Sequence, residues 1–160
     1  MPPNFALDQN FPQSILAALG YIPEVILTPL QQIDPRLTAN TEDWEILVAL
    51  SRAGFDGFIS GDSAMVQLPK ELSVLIQTKL TLVVTESVTH DALEATGLLL
   101  IHLRHIAHQT DPNIAQLWKL RLPRRHSHTD PWEQLKEVAA RQKTTAKALF
   151  ASERLPSGDL

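Results

Sequence analysis

Four carboxylates stand where chemistry could use them: Asp8, Asp43, Asp62 and Glu86. Asp8 ends the short apolar run 5–7 (FAL), Asp62 follows the run 57–61 (GFISG), and Glu86 follows 80–84 (LTLVV) and Thr85. Each run reads as a buried strand, which puts each acid at a strand's carboxyl end. Asp43 is placed differently. With Ile46, Leu47 and Leu50 at i, i+3, i+4 and i+7, it heads the apolar stripe of a helix that leads into the strand 57–61. A helix that feeds a parallel strand through a tight turn runs antiparallel to it, so its start lies at that strand's carboxyl edge. Asp43 and Asp62 then meet at one rim, where open α/β sheets place their ligands. Clustered carboxylates there supply the oxygen ligands that a hard divalent cation takes, with room left for water and phosphate. Singly, each acid has a plainer use: Asp8 in a turn, Asp43 at a helix N-terminus, Asp62 as a cap. Their coincidence at one edge is the argument for a site.

The elements that must hold these acids follow in chain order. Residues 12–20 read as a helix with Pro12 near its first turn, Ile15, Leu16 and Leu19 as its buried stripe and Gly20 as its stop. Residues 25–30 (VILTPL) form a second strand, whose Pro29 lacks a ladder donor and so marks a strand end or a sheet edge. Ala53-Gly54 stops the Asp43 helix. Residues 64–79 have helical spacing broken by Pro69, giving a kinked helix or two short ones. Residues 91–108 form a strongly apolar helix, with Leu93, Leu98, Leu100, Ile101, Leu103 and Ile106 too numerous for one narrow stripe, so burial on two sides is expected, by the sheet and by the tail or a second subunit. Residues 115–122 fit a strand or a short helix equally. Asp130-Pro131 opens a last helix that carries Trp132, Leu135, Val138, Ala139, Ala146 and Leu149 to Phe150. Strands alternating with helices imply an α/β sandwich around a mostly parallel sheet. Residues 1–110 are expected to be its core, and 111–160 a basic linker with a helical extension packed on the core or on a partner.

A chain of 160 residues buries one core, and 44% hydrophobic with 20% charged residues excludes disordered and fibrous classes. The absence of cysteine excludes disulfides and thiolate zinc sites. The N-terminus lacks the charged and apolar regions of a signal peptide, and the densest apolar run, 97–101, stops at His102, so a cytoplasmic protein with no membrane contact is expected. The net charge of -4 is unevenly spread: residues 1–118 hold 5 basic and 13 acidic side chains, residues 119–160 hold 9 and 5. An acidic body with a basic tail suits a polyanion or an acidic partner.

The segments LDQN around Asp8, EDWEIL around Asp43 and ISGDSAM around Asp62 resemble, together and in order, the PIN-like nucleases, above all short toxin-like variants patterned L-D-E-N-L-P, D-x-E-I-L and T-x-D-x-D-F. The matching stretches are 5–12, 43–47 and 59–65, and the resemblance covers about the first 110 residues. It implies a PIN-like three-layer sandwich and a Mg2+- or Mn2+-dependent ribonuclease, the type found as the toxin of toxin–antitoxin pairs. Asp8, Asp43 and Asp62 would be its catalytic metal ligands and Glu86 a further ligand. RNA, an antitoxin protein and a second copy of the chain are the implied partners. The sequence departs from the pattern at Gln9, where an acid is usual, at Ala64, which replaces the second acid of the third motif, and at Met65, which replaces its aromatic.

Two alternatives follow from those departures and from the fold class. A PIN-like domain that has lost catalysis would persist as a binding module, with Ala64 as its mark. A receiver-like phosphorylation domain would use Asp62 as phosphoacceptor, Thr85 as switch hydroxyl and Lys119 as the strand-end lysine, but Gln9 stands where receivers carry a second acid and Asp43 has no role. Lys119, Arg121, Arg124 and Arg125, followed by His126 and His128, could contact phosphates independently of sequence, or form a solvated linker. His102, His105 and His108 could pair on zinc, but without cysteine or a neighbouring acid motif they read as polar positions beside a buried face.

Overall fold

The computed structural model describes residues 1–11, 16–17, 20, 22–86, 91–122 and 130–153. Five strands, β1 (Asn4–Leu7), β2 (Ile26–Pro29), β3 (Gly57–Ser60), β4 (Thr81–Thr85) and β5 (Gln116–Leu120), lie parallel in the order β2-β1-β3-β4-β5. The period of two along each strand sorts side chains between the faces. Phe5, Leu7, Ile59 and Val83 enter one core, and Ala6, Phe58, Leu82 and Val84 enter the other. The first core is closed by Ala95, Leu98, Leu99, Leu103 and Ile106 of α4 (Ala92–Gln109). The second is closed by Ile46, Leu47 and Leu50 of α2 (Asp43–Arg52), with Leu75 of α3 (Pro69–Thr78). Helices thus cover both faces of an all-parallel sheet, a three-layer α/β sandwich. A four-residue helix, α1 (Leu30–Ile33), follows β2 directly.

Local chemistry sets the boundaries. The backbone N–H of Glu42 donates to the Glu45 carboxylate at 3.1 Å at the start of α2, and Gly54 follows the helix at φ 79°, a left-handed turn that suits glycine. Pro69 opens α3, so the 64–79 segment resolves into a 3-10 turn (Ser63–Gln67) and a separate helix. Pro29 is the last residue of an edge strand, where its missing donor costs no ladder bond. The 115–122 segment is a strand, β5, paired with β4 from Thr81↔Gln116 to Thr85↔Leu120. Because that strand completes the sheet, the first compact unit runs over 1–123 and not 1–110.

The second unit spans 124–160 and holds α5 (Pro131–Arg141) and α6 (Ala146–Glu153). The single terminal helix expected from sequence is two, because the chain turns at Lys143 with φ 57°. Asp130 caps α5 by accepting from Trp132 N–H at 2.9 Å, and the Trp132 and Phe150 rings meet edge to face at 5.7 Å. α4 buries one side against the sheet. Its Leu98, Leu103 and Ile106 are buried, whereas Leu93, Leu100 and Ile101 are exposed. Most of the expected 12–20 helix lies outside the described residues. No helix among the described residues is long and apolar enough to cross a membrane.

Candidate functional site at the strand carboxyl edge

The chain leaves β1 for β2 on one side and later returns to place β3 on β1's other side, so the order reverses between β1 and β3. That reversal opens a crevice at the carboxyl ends of the two strands. Asp8 extends β1 past its last residue, its N–H donating to the Ile59 carbonyl at 2.9 Å, and strand alternation turns it to the α2 face with Ala6. Ser60, one residue after Ile59, takes the same face of β3. The two meet there: the Ser60 hydroxyl donates to Asp8 Oδ2 at 2.8 Å, and its oxygen accepts the Asp62 N–H at 3.0 Å. One buried hydroxyl therefore ties the first acid to the backbone of the third. Sequence reading passed over Ser60, because its partner is 52 residues away.

Asp43 opens α2 at the same rim, and Asp62 follows β3. A cavity of about 190 Å³ is lined by Asp8, Asp43 and Asp62 together with Gln9, Asn10 and Thr38 among its walls. Asp8 is buried, Asp43 half-buried and Asp62 exposed. The Asp43 carboxyl is held above the ordinary aspartate value by burial first, and then by the charges of Asp62, Asp8, Glu71 and Glu42. It feels the other acids of the cavity. The plainer roles are present too. Asp62 Oδ1 accepts from Ala64 N–H at 2.7 Å as the cap of the 3-10 turn, and Asp8 Oδ1 accepts from Asn10 N–H at 3.4 Å. Capping occupies one oxygen of Asp62 and leaves the second without a protein donor among the described residues.

A second, larger cavity of about 620 Å³ adjoins the first and shares Asn10 and Asp62 with it. Gly61, Ser63, Ala64, Gln67 and Glu86 complete its lining. Glu86 is thus set apart from the acid cavity. It pairs with Arg121, and Lys119 Nζ lies 4.0 Å from its other oxygen. The hydrogen bond from Arg121 is the main cause that holds the Glu86 carboxyl below its ordinary value, with the charges of Arg121 and Lys119 adding to it. Arg124 and Arg125 lie outside the described residues. Thr85 is fully buried, and its hydroxyl has no hydrogen-bond partner among the described residues. His105 packs edge to face on Trp118 at 5.6 Å.

The donors around the acid cavity are all oxygen, the set that suits Mg2+ or Mn2+ and not a soft metal. Among the described residues no three His, Cys, Asp or Glu side chains converge closely enough to hold an ion between them unaided. The acids frame a space rather than a point, and Mg2+ is ordinarily held through one or two carboxylates with its remaining positions filled by water.

No family model, curated protein or solved structure matches this chain.

Proposed function

We propose that the protein is a metal-dependent ribonuclease that hydrolyses RNA phosphodiester bonds, with Asp8, Asp43 and Asp62 as the residues that hold Mg2+ or Mn2+. The observation that carries this reading is the single cavity at the β1–β3 reversal that all three carboxylates line. A bound ion would supply a nucleophilic water and charge stabilisation on the phosphodiester. The chain's own part is positional. Ser60 fixes Asp8 and sets the start of the turn that presents Asp62. The adjoining open cavity, polar at Asn10, Ser63 and Gln67, gives a strand somewhere to lie beside the acids. Lys119 and Arg121 at its Glu86 end offer positive charge for phosphates. Within this reading the chain acts as the toxin of a toxin–antitoxin pair, with an antitoxin protein and a second copy of itself as partners.

A specific observation supports a second reading, a PIN-like binding module without catalysis. Ala64 lines the larger cavity beside Asp62, where the motif it resembles carries a second acid. One experiment separates the two. Cleavage of a mixed RNA pool in Mg2+ or Mn2+ is measured for wild type, Asp8→Asn and Asp62→Asn. The nuclease reading expects cleavage that needs the metal and falls by at least about a hundredfold in both variants, the scale on which lost charge stabilisation acts. A folded wild type that cleaves nothing under either metal ends that reading and leaves the binding module.

A further inference from the structure

Unpaired cations are scarce in the acidic body, and two of them flank one aromatic ring. Residues 1–118 hold 5 basic side chains against 13 acidic ones. Arg36 is paired with Asp34 at 2.7 Å, and Arg104 with Glu24 at 2.8 Å. Arg52, Lys70 and Lys79 have no acidic partner among the described residues. The Lys70 ammonium stands instead 3.7 Å from the centre of the Trp44 ring. The ring's quadrupole attracts that cation but does not neutralise it.

Trp44 stands on the outer side of α2. With Val48 and Arg52 at i+4 and i+8 it forms a stripe opposite the buried Ile46, Leu47 and Leu50. A cavity of about 340 Å³ follows that stripe, lined by Trp44, Glu45, Val48, Ala49 and Arg52. Its volume falls within the range of small-ligand sites, about 300–1,000 Å³. Lys70 does not line it, so the ring meets the cavity with a part that Lys70 leaves free. The one acid on its wall is engaged, because Glu45 Oε2 accepts the Glu42 N–H at 3.1 Å. A ring with an unpaired cation on either side suits a ligand that joins a flat aromatic group to a negative one. Nucleotides have that make-up: bases stack on aromatic side chains whatever their identity, and cations take the phosphates. An apolar protein surface would leave both cations unmatched.

The chain also sets where this ring lies. Trp44 follows Asp43, the first residue of α2 and part of the acid cavity's wall. One residue along a helix is a turn of about 100° and a rise of about 1.5 Å. A strand that leaves the acid cavity over the start of α2 therefore reaches Trp44 next.

We propose that Trp44, Lys70 and Arg52 form a docking subsite for single-stranded RNA, in which one base stacks on the Trp44 ring and the adjoining phosphates lie on the two cations. The inference rests on the RNA half of the reading above and asks nothing of the metal. None of the three residues touches the reacting atoms; they hold the strand beside the acids.

The test titrates the full-length protein against a fluorescently labelled oligouridylate in EDTA, so that anisotropy reads binding without cleavage, at several salt concentrations. Trp44→Leu is expected to weaken binding by about fivefold to a hundredfold, the range that loss of one stacked base gives. Trp44→Phe, which keeps a ring, is expected to recover most of that loss. Lys70→Gln and Arg52→Gln are each expected to lower the salt slope by about one. Arg52 is exposed and without a protein partner among the described residues, so its variant keeps the test open even if Trp44→Leu unfolds. Wild-type affinity in a folded Trp44→Leu overturns the inference and leaves the Lys70–Trp44 contact as a clamp between α2 and α3. An unchanged salt slope in both cation variants overturns it too, as does a wild type that binds no oligonucleotide at low salt. RNA cleavage in Mn2+ by the same samples keeps the two readings apart. Binding that needs Trp44 without cleavage ends the nuclease reading alone, and wild-type cleavage with unaltered binding in Trp44→Leu ends the Trp44 inference alone.

Discussion

Asp43 carries its charge against opposition, and that has a consequence with a definite sign. Burial and the facing acids let the folded chain hold the Asp43 proton to a higher pH than the unfolded chain does. Its contribution to stability is therefore full below the ordinary aspartate range and is lost as pH rises through the raised folded value. In metal-free protein, Asp43→Asn should flatten this part of the stability profile. Relative to wild type it should gain up to about 1 kcal/mol between acid and neutral pH, a modest figure because solvent reaches the half-buried group. Denaturant melts at several pH values check this, and a constant difference between wild type and variant would contradict it. The same proton competes with a cation, so metal affinity should begin to fall at a higher pH than for an ordinary aspartate. The three aspartates were legible in the sequence because each sits at an element boundary that periodicity reveals. Ser60 was not. It matters through a partner 52 residues away and so leaves no local pattern.

At the scale of elements, β3 is the strand on which the site depends, and Gly57 is what lets it lie between its neighbours. A Cβ at Gly57 would stand 2.5 Å from the Thr81 carbonyl and 2.7 Å from the Phe5 ring. Neither can yield cheaply, since one is ladder backbone and the other a fully buried side chain of β1. Gly57→Ala should destabilise the protein by about 1–3 kcal/mol, the usual cost of overpacking. If the fold survives, the shift of β3 should reach Ser60 and Asp62 and weaken metal binding as well. A thermal melt with and without Mn2+ measures both effects, and a wild-type melting temperature would show that the approach is looser than the structure has it. Strands β1 to β4, α2, the Pro69 break and the Asp130 cap follow from patterns within a few residues of each other. The strand character of residues 116–120 does not, because its evidence is the ladder with β4. The turn at Lys143 likewise has no glycine to announce it, since Lys143 itself takes the left-handed conformation.

For the molecule as a whole, the exposed face of α4 is the feature that the sequence read as a second buried side. Leu93 is 82% exposed and Ile101 70% exposed, with Leu100 beside them. Residues 93, 97, 100 and 101 fall at i, i+4, i+7 and i+8, one face of the helix, and a Cβ at Gly97 would meet nothing within 4 Å. The face therefore has two apolar ridges with a low point between them, a shape into which a second copy's ridge can settle. In a two-fold pairing every such side chain counts twice, and full burial of a leucine or isoleucine contributes about 1.5–3 kcal/mol. Two copies of Leu93 and Ile101 would offset much of the entropy of association, which runs from about 4 kcal/mol upward. The expected outcome is a dimer in sedimentation at micromolar concentration that Ile101→Glu converts to monomer while the circular dichroism stays unchanged. Ile76→Glu, at the 69% exposed Ile76 of α3 on the opposite face of the sheet, should leave the dimer intact. If both variants sediment as wild type does, or wild type is itself a monomer at high micromolar concentration, the α4 face serves some other contact, and the second copy drops out of the proposed partners.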